Sequence, residues 1–363
     1  VTALQQEACP YPFRDGDEQR LDIDPEIPEL HSKKSLVRIS CSYGGDAWLA
    51  VGHEDAKFVM SDLRFGRSLT LGRNTPRISP RIAEASGIIT TDQPEHSRLR
   101  KLMSPAFTTR RLEALRPRVQ QITDECLDRI EEMGPPVSLI EELAMPVPVA
   151  VISYMLGVPF EDHPQFRQWS DRMMLSSPDS LDDAKAASIG LIRYMYALVK
   201  QRRTTPSDDL LGVLVAARDQ GDRLSEQELV VNGMTLLVAG HESTSRMITN
   251  VVYNLLTHQD QLDKLRADPG LLDSAIEELL RFTPLHASAS ASPWIAIEDV
   301  QVGNVLVRKG ESVLVEMGAA NRDEEVFDRP DELDLTRTRE SSPHLTLVMV
   351  CISVWPHSWP DLS

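Results

Sequence analysis

The sequence lacks any apolar run near the roughly 20 residues that a membrane helix needs, so no helical span is expected. Cysteine is scarce: Cys9, Cys41, Cys126 and Cys351 are widely spaced and form no C-x-x-C pair. In a chain of 363 residues this excludes a disulfide framework and fits reduced thiols. Basic residues are in deficit, with 38 Lys and Arg against 55 Asp and Glu and a net charge of −17. That excludes the basic footprint of a nucleic-acid binder. The opening VTALQQEACPYPF has neither a basic head nor an apolar core, so no signal peptide is expected. Together these absences predict a cytoplasmic protein with no membrane and no nucleic-acid partner. Internal repeats, low-complexity tracts and Pro/Gly-rich linkers are also missing, which predicts one mixed, mostly helical domain over residues 1–346.

Strand patterns stand near the beginning, at residues 36–42 and 47–51, around the turn Tyr43-Gly44-Gly45-Asp46. From about Glu95 to Phe282 the period is helical. Leu112, Leu115, Val119, Ile122, Cys126 and Ile130 recur at three- and four-residue steps, with Pro117 expected to kink or divide that helix. Residues 182–203 and 208–218 read as helices too. The longest helix is predicted from Ser225, which forms a capping box with Glu228, to about Leu256. Its middle, residues 234–239, is apolar on nearly every side, as a buried helix must be. Strand signals return at 294–302, 305–307 and 312–315.

Three motifs carry chemistry. Ala239-Gly240-His241-Glu242-Ser243-Thr244 puts a glycine, an acid and hydroxyls into the deepest part of that helix. Glycine costs about 1 kcal/mol there against alanine, and buried polar groups need partners. Such a break with local preference points to function, against the plain alternative of a kinked helix with an internally paired acid. A zinc site is excluded because the second histidine of an H-E-x-x-H pattern would be Ser245. Glu278-Leu279-Leu280-Arg281 sets an acid and a base three apart on one helix face. In Asp92-Gln93-Pro94-Glu95-His96-Ser97-Arg98-Leu99-Arg100, His96 and Arg100 lie four apart and can clamp a carboxylate, or form a solvated basic face.

In this order and at these separations, the three motifs resemble the bacterial cytochrome P-450 family. So do Asn321-Arg322-Asp323 before Val326-Phe327, and the later DELDLTRT of residues 331–338. The resemblance spans nearly the whole chain. It implies a mainly α fold with small β-sheets (α+β), the triangular fold of that family, incomplete at the C-terminus. It also implies a monooxygenase that uses haem b, O2, a lipophilic small-molecule substrate and a ferredoxin-type electron donor. Glu242 and Ser243 then occupy the acid and alcohol positions of a proton relay, with Ala239 and Gly240 beside the haem. His96, Arg100 and His344 occupy positions that bind haem propionates. Glu278 and Arg281 match a pair with a folding role. One departure stands on the strand after that pair, where the family's usual arginine is replaced by Trp294. The basic cluster Arg98, Arg100, Lys101, Arg110 and Arg111 either docks an acidic donor or is a solvated face. Leu285, Ala287 and Ala289 suggest an apolar pocket wall.

The family holds iron through a cysteine in an F-G-x-G-x-H-x-C loop shortly after the place of His344. No such loop is written here: Val354 stands at the ligand position, and Cys351 is three residues early without the glycines. Residues 343–363 contain one charged residue, Asp361, and two of the five tryptophans. Restoring one nucleotide within codon 347 changes the reading. Met349 must end in G and Val350 begins GT, which forces a glycine at position 350. Trp359 and Pro360 force an alanine at 360. With free choice of wobble bases the frame reads F-G-H-G-V-H-L-C-L-A-P-L-V-A-R, with cysteine at position 354. Residues 347–363 are therefore expected to be out-of-frame translation, with the final family helix and strands missing and the written chain inactive. Two other readings remain: a haem-free partner protein of the same fold, and a non-functional product.

Overall fold

The computed structural model describes residues 8–11, 21, 26–27, 36–80, 82, 87–174, 180–219, 225–285, 292–337 and 344–346. Residues 347–363, with Cys351 and the proposed frame change, lie outside them, as do Ala287 and Ala289. The strands are β1 (Cys9–Tyr11), β2 (Leu36–Cys41), β3 (Asp46–Ala50), β4 (Phe65–Gly66), β5 (Trp294–Ala296), β6 (Val300–Val302), β7 (Val305–Val307) and β8 (Ser312–Val315). The helices begin with α1 (His53–Ser61), α2 (Glu95–Met103), α3 (Thr109–Met133), α4 (Pro146–Leu156), α5 (His163–Met174) and α6 (Leu181–Thr204). They continue with α7 (Leu210–Asp219), α8 (Glu226–Thr257), α9 (Gln259–Ala267), α10 (Leu272–Phe282) and α11 (Met317–Ala320). This is the expected mainly α arrangement with small sheets.

The described residues form two compact units, one within 1–84 and 250–349 and the other within 85–249. The first unit holds the sheets. Six strands lie in the order β1-β2-β3-β8-β5-β4, and β6 pairs with β7. The predicted hairpin is present: β2 and β3 run antiparallel, with Val37 opposite Leu49 and Ile39 opposite Ala47. Its turn needs glycine, because Gly44 has φ +78° and a Cβ there would sit 2.0 Å from the Thr75 carbonyl oxygen. Val37, Ile39, Ala47, Leu49 and Leu314 are buried together on one face, each large side chain contributing about 1.5–3 kcal/mol by leaving water. A second cluster packs Ala275, Leu279 and Phe282 of α10 against Leu333 and Leu335.

The single strand signal over 294–302 resolves into two strands, β5 and β6. The Asp299 carboxylate accepts the Lys309 backbone N–H at 2.8 Å and fixes a turn between them. The second unit is helical. Phe166 of α5, Leu191 and Met195 of α6, Leu211 and Leu214 of α7, and Leu237 of α8 form its centre. Pro117 does not divide α3, which is one helix from Thr109 to Met133. Its buried residues, Ile122 and Cys126, both lie beyond the proline. The capping box at the start of α8 is formed: Glu228 N–H donates to Ser225 Oγ at 3.1 Å, and Ser225 N–H to Glu228 Oε2 at 2.6 Å.

Candidate functional site

In the second unit, residues 239–244 lie in the middle of α8. Glu242 is half-buried and pairs with Arg246 one turn on, Oε1 to Nη2 at 2.9 Å. Sequence reasoning missed Arg246, although its spacing of four from Glu242 was legible. Ser243 is half-buried and Thr244 exposed. A Cβ on Gly240 would lie 3.3 Å from Ile152 Cδ1 of α4, so the glycine admits a close helix approach. Ala239 is helical, and its side chain lies outside the described residues.

His241 points the other way, into the protein, and is 2% exposed. Its Nδ1 lies 2.8 Å from Ser170 Oγ of α5. Its Nε2 lies 3.7 Å from Asp171 Oδ1, an ion-pair separation too long for a hydrogen bond. Burial holds the imidazole pKa below its ordinary value; the Asp171 charge opposes this and Arg167 reinforces it.

A segment ahead of α2 is tied to the same helix. Asn232, buried on α8, accepts the Ile88 backbone N–H on Oδ1 at 2.9 Å and donates from Nδ2 to the Glu228 carbonyl at 2.7 Å. This anchor was legible only as a lone polar residue in an apolar stretch. His96 and Arg100 sit four apart on α2, both half-buried. Of the basic cluster, Arg98 is occupied by Glu95 and Glu228, and Arg111 Nη1 donates to the Asp208 carbonyl at 2.8 Å. Burial opposes ionisation of Glu228, but hydrogen bonds from Ser225 and the Arg98 charge outweigh it and hold its carboxyl below the usual range. Lys101 and Arg110 remain exposed.

In the first unit, Glu278 and Arg281 form a buried bidentate pair on α10. Arg281 also donates to the carbonyls of Asn321 and Pro330, at 2.9 and 2.8 Å. The Asn321-Arg322-Asp323 motif thus has a structural use. Asn321 further accepts the Leu345 N–H and donates to Thr346 Oγ1, which holds the segment of His344 in place.

The residues present fit a group that carries carboxylates. His344 is 6% exposed, and its Nε2 lies 3.5 Å from Glu277. Its Nδ1 is buried with no hydrogen-bond partner among the described residues. The same is true of Trp294 Nε1. The described cysteines do not look like an axial ligand. Burial, then the Asp46 charge, pushes the Cys41 thiol up to about 11, and Cys126 is buried on α3.

These features define a helical protein with a small mixed sheet, a polar break in its longest helix, and buried donors awaiting acceptors. The family model for cytochrome P450 matches residues 42–342, and the chain belongs to that family of haem monooxygenases. It is 47% identical over 346 residues to nocardicin C N-oxygenase of Nocardia uniformis subsp. tsuyamanensis, covering 94% of this chain and 85% of that protein. It is 41% identical to mycinamicin IV hydroxylase/epoxidase of Micromonospora griseorubida, covering 90% and 82%. The crystal structure of the LnmA cytochrome P450 hydroxylase, from the leinamycin biosynthetic pathway of Streptomyces atroolivaceus, superposes with a TM-score of 0.85 at 42% identity, covering 95% and 87%. The family implies haem, O2 and an electron-donating partner. Among the described residues, no helix is long and apolar enough to cross a membrane.

Proposed function

We propose that the gene encodes a cytoplasmic enzyme that inserts one oxygen atom into a lipophilic small molecule of secondary metabolism, with a ferredoxin-type protein as electron donor. The observation that carries this is the acid–alcohol pair Glu242-Ser243 in the middle of α8. A partner protein that binds no haem has no use for that pair. When bound, haem b supplies the activation of O2. The chain's own residues do the rest. His96, Arg100 and His344 hold the propionates, and Ala239 and Gly240 keep the helix surface low beside the ring. Ser243 Oγ passes a proton inward, and the Glu242 carboxyl renews it from solvent, with Arg246 holding that side chain along the helix. Leu285 contributes an apolar wall. The relatives' names, nocardicin C N-oxygenase and mycinamicin IV hydroxylase/epoxidase, favour a natural product as substrate.

We further propose that residues 347–363 are out of frame and that residues 1–346 form one domain of this enzyme. The support is the glycine forced at position 350 and the cysteine permitted at 354, at the family's spacing from His344. The test is to express the chain as written beside a version with one nucleotide added in codon 347. The frame-restored protein should retain haem and oxidise nocardicin C or mycinamicin IV, the compounds in its relatives' names, with ferredoxin and its reductase. The chain as written should not oxidise it. Equal turnover by both would overturn the frame proposal. If the written chain resists protease yet takes up no haem, the haem-free partner is the better account.

A further inference from the structure

His241 lies in the turn of residues 239–244 but takes no part in the proton relay. It is 2% exposed and reaches from α8 to α5. Its Nδ1 shares a hydrogen bond with Ser170 Oγ at 2.8 Å, and Ser170 is 1% exposed. Helix α5 also packs on α6, where the rings of Phe166 and Trp169 each lie 5.9 Å from that of Tyr194. Thus α5 meets aromatic packing at α6 and a titratable ring at α8.

The site suits one form of that ring. Its Nε2 is buried and has no hydrogen-bond partner among the described residues. Asp171 Oδ1, also buried and without a hydrogen bond, stands 3.7 Å away, beyond hydrogen-bond reach. The other oxygen of Asp171 faces Arg167 Nε at 3.6 Å. Asp171 and Arg167, one charge of each sign, are the charges that act on the ring among the described residues. Helix α4 packs beside Gly240 through Ile152, and its one titratable group, Tyr154, is exposed and lies under Arg118. A neutral imidazole leaves Nε2 as a bare lone pair while Nδ1–H donates to Ser170. An imidazolium makes Nε2 a donor with no acceptor in reach and buries a charge. Water is the remaining acceptor, and the ring reaches it when α5 separates from α8. Burial accordingly lowers the imidazole pKa, against the opposing charge of Asp171.

We propose that His241 is a pH-operated bolt between α5 and α8: neutral, it holds α5 through Ser170, and on taking a proton from solvent it releases α5. Because His241 belongs to the turn that carries Glu242 and Ser243, release loosens the packing of that turn. The bolt stands apart from the haem reading, and its test uses no haem.

The test is amide hydrogen exchange on the full chain at about pH 7.5 and about pH 5.5, each rate divided by the intrinsic rate at that pH. The proteins are the unsubstituted chain, His241→Asn and Asp171→Asn, with circular dichroism at the higher pH to establish that each is folded. Asparagine at 241 keeps a partner for Ser170 and does not titrate. In the unsubstituted chain α5 should lose up to about tenfold of its protection at the lower pH, the limit set by one released imidazole of ordinary pKa, about 6.5. Helix α3, in the same unit, should lose less. His241→Asn should abolish the extra loss at α5. Asp171→Asn keeps the ring and removes the charge that favours its protonated form in place, so α5 should lose more protection than in the unsubstituted chain. Should His241→Asn not fold, the Asp171→Asn comparison decides. Equal loss in α3 and α5 means that the proton unfolds the whole unit and overturns the proposal. So does an α5 whose protection is the same at both pH values, a loss at α5 that persists in His241→Asn, or one that shrinks in Asp171→Asn.

Discussion

Arg281 grips Glu278 through two parallel hydrogen bonds, Nε to Oε2 at 2.8 Å and Nη2 to Oε1 at 2.9 Å, with both residues 3% exposed. The Glu278 carboxylate also accepts the Asp334 backbone N–H at 3.1 Å and pairs with Arg337. The pair therefore ties α10 to the loops of residues 321–337. Removing Glu278 takes the carboxylate from the buried Arg281, and removing Arg281 leaves the buried Glu278 to Arg337 alone. Glu278→Ala or Arg281→Ala should each cost about 3–5 kcal/mol, measured by urea denaturation. A loss below about 1 kcal/mol would show that the pair behaves like an exposed one.

The buried imidazole of His241 should make stability depend on pH. Its folded pKa is depressed, mainly by burial, while the unfolded value stays near 6.5. The unfolded chain then binds the proton first, so stability rises with pH across this window. The contribution is complete above about pH 6.5 and is lost as pH falls through the depressed folded value. The charged groups facing the ring are Asp171 and Arg167, and Ser170 supplies its neutral partner. His241→Gln should flatten the fall in denaturation midpoint between about pH 7.5 and 5. An unchanged slope would assign the pH dependence to other groups.

Asn232 fixes residues 87–91 to α8 by one buried hydrogen bond to the Ile88 amide. Asn232→Leu should leave that N–H without an acceptor and cost about 1–3 kcal/mol. Hydrogen exchange should speed up at Ile88 and its neighbours more than elsewhere in the helical unit. Uniform acceleration across the unit would show that Asn232 supports the fold generally and does not anchor this segment.

Much of this was readable in the chain. The hairpin announced itself through alternation around Gly44-Gly45, and the Glu278–Arg281 pair through its spacing of three, because both depend on neighbours in sequence. The start of α8 was legible for the same reason, since Ser225 and Glu228 satisfy each other locally. What stayed hidden depends on distant partners. The turn between β5 and β6 forms because Asp299 captures the Lys309 amide, which the apolar residues of 294–302 do not reveal. Arg98 looked like part of a docking surface until Glu228 of α8 was seen beside it. Arg67 and Trp294 meet only because β4 and β5 are paired.

Within the frame-restored enzyme, Glu242→Gln and Ser243→Ala should lower product formation by about 100-fold or more at unchanged haem content, the scale of a lost proton-transfer group. Arg246→Ala should change stability by less than about 1 kcal/mol, because the Glu242–Arg246 pair is partly exposed. Wild-type rates in both Glu242→Gln and Ser243→Ala would remove them from the proton relay.

The most direct measurement is the DNA sequence of the source gene across codons 340–365. The account predicts one additional nucleotide within codon 347, which places a cysteine at position 354 and continues the reading frame of a haem-thiolate enzyme. If the DNA instead matches the amino acids as written, with Val354 at that position, the thiolate is absent from the gene itself and the monooxygenase reading of this chain is contradicted.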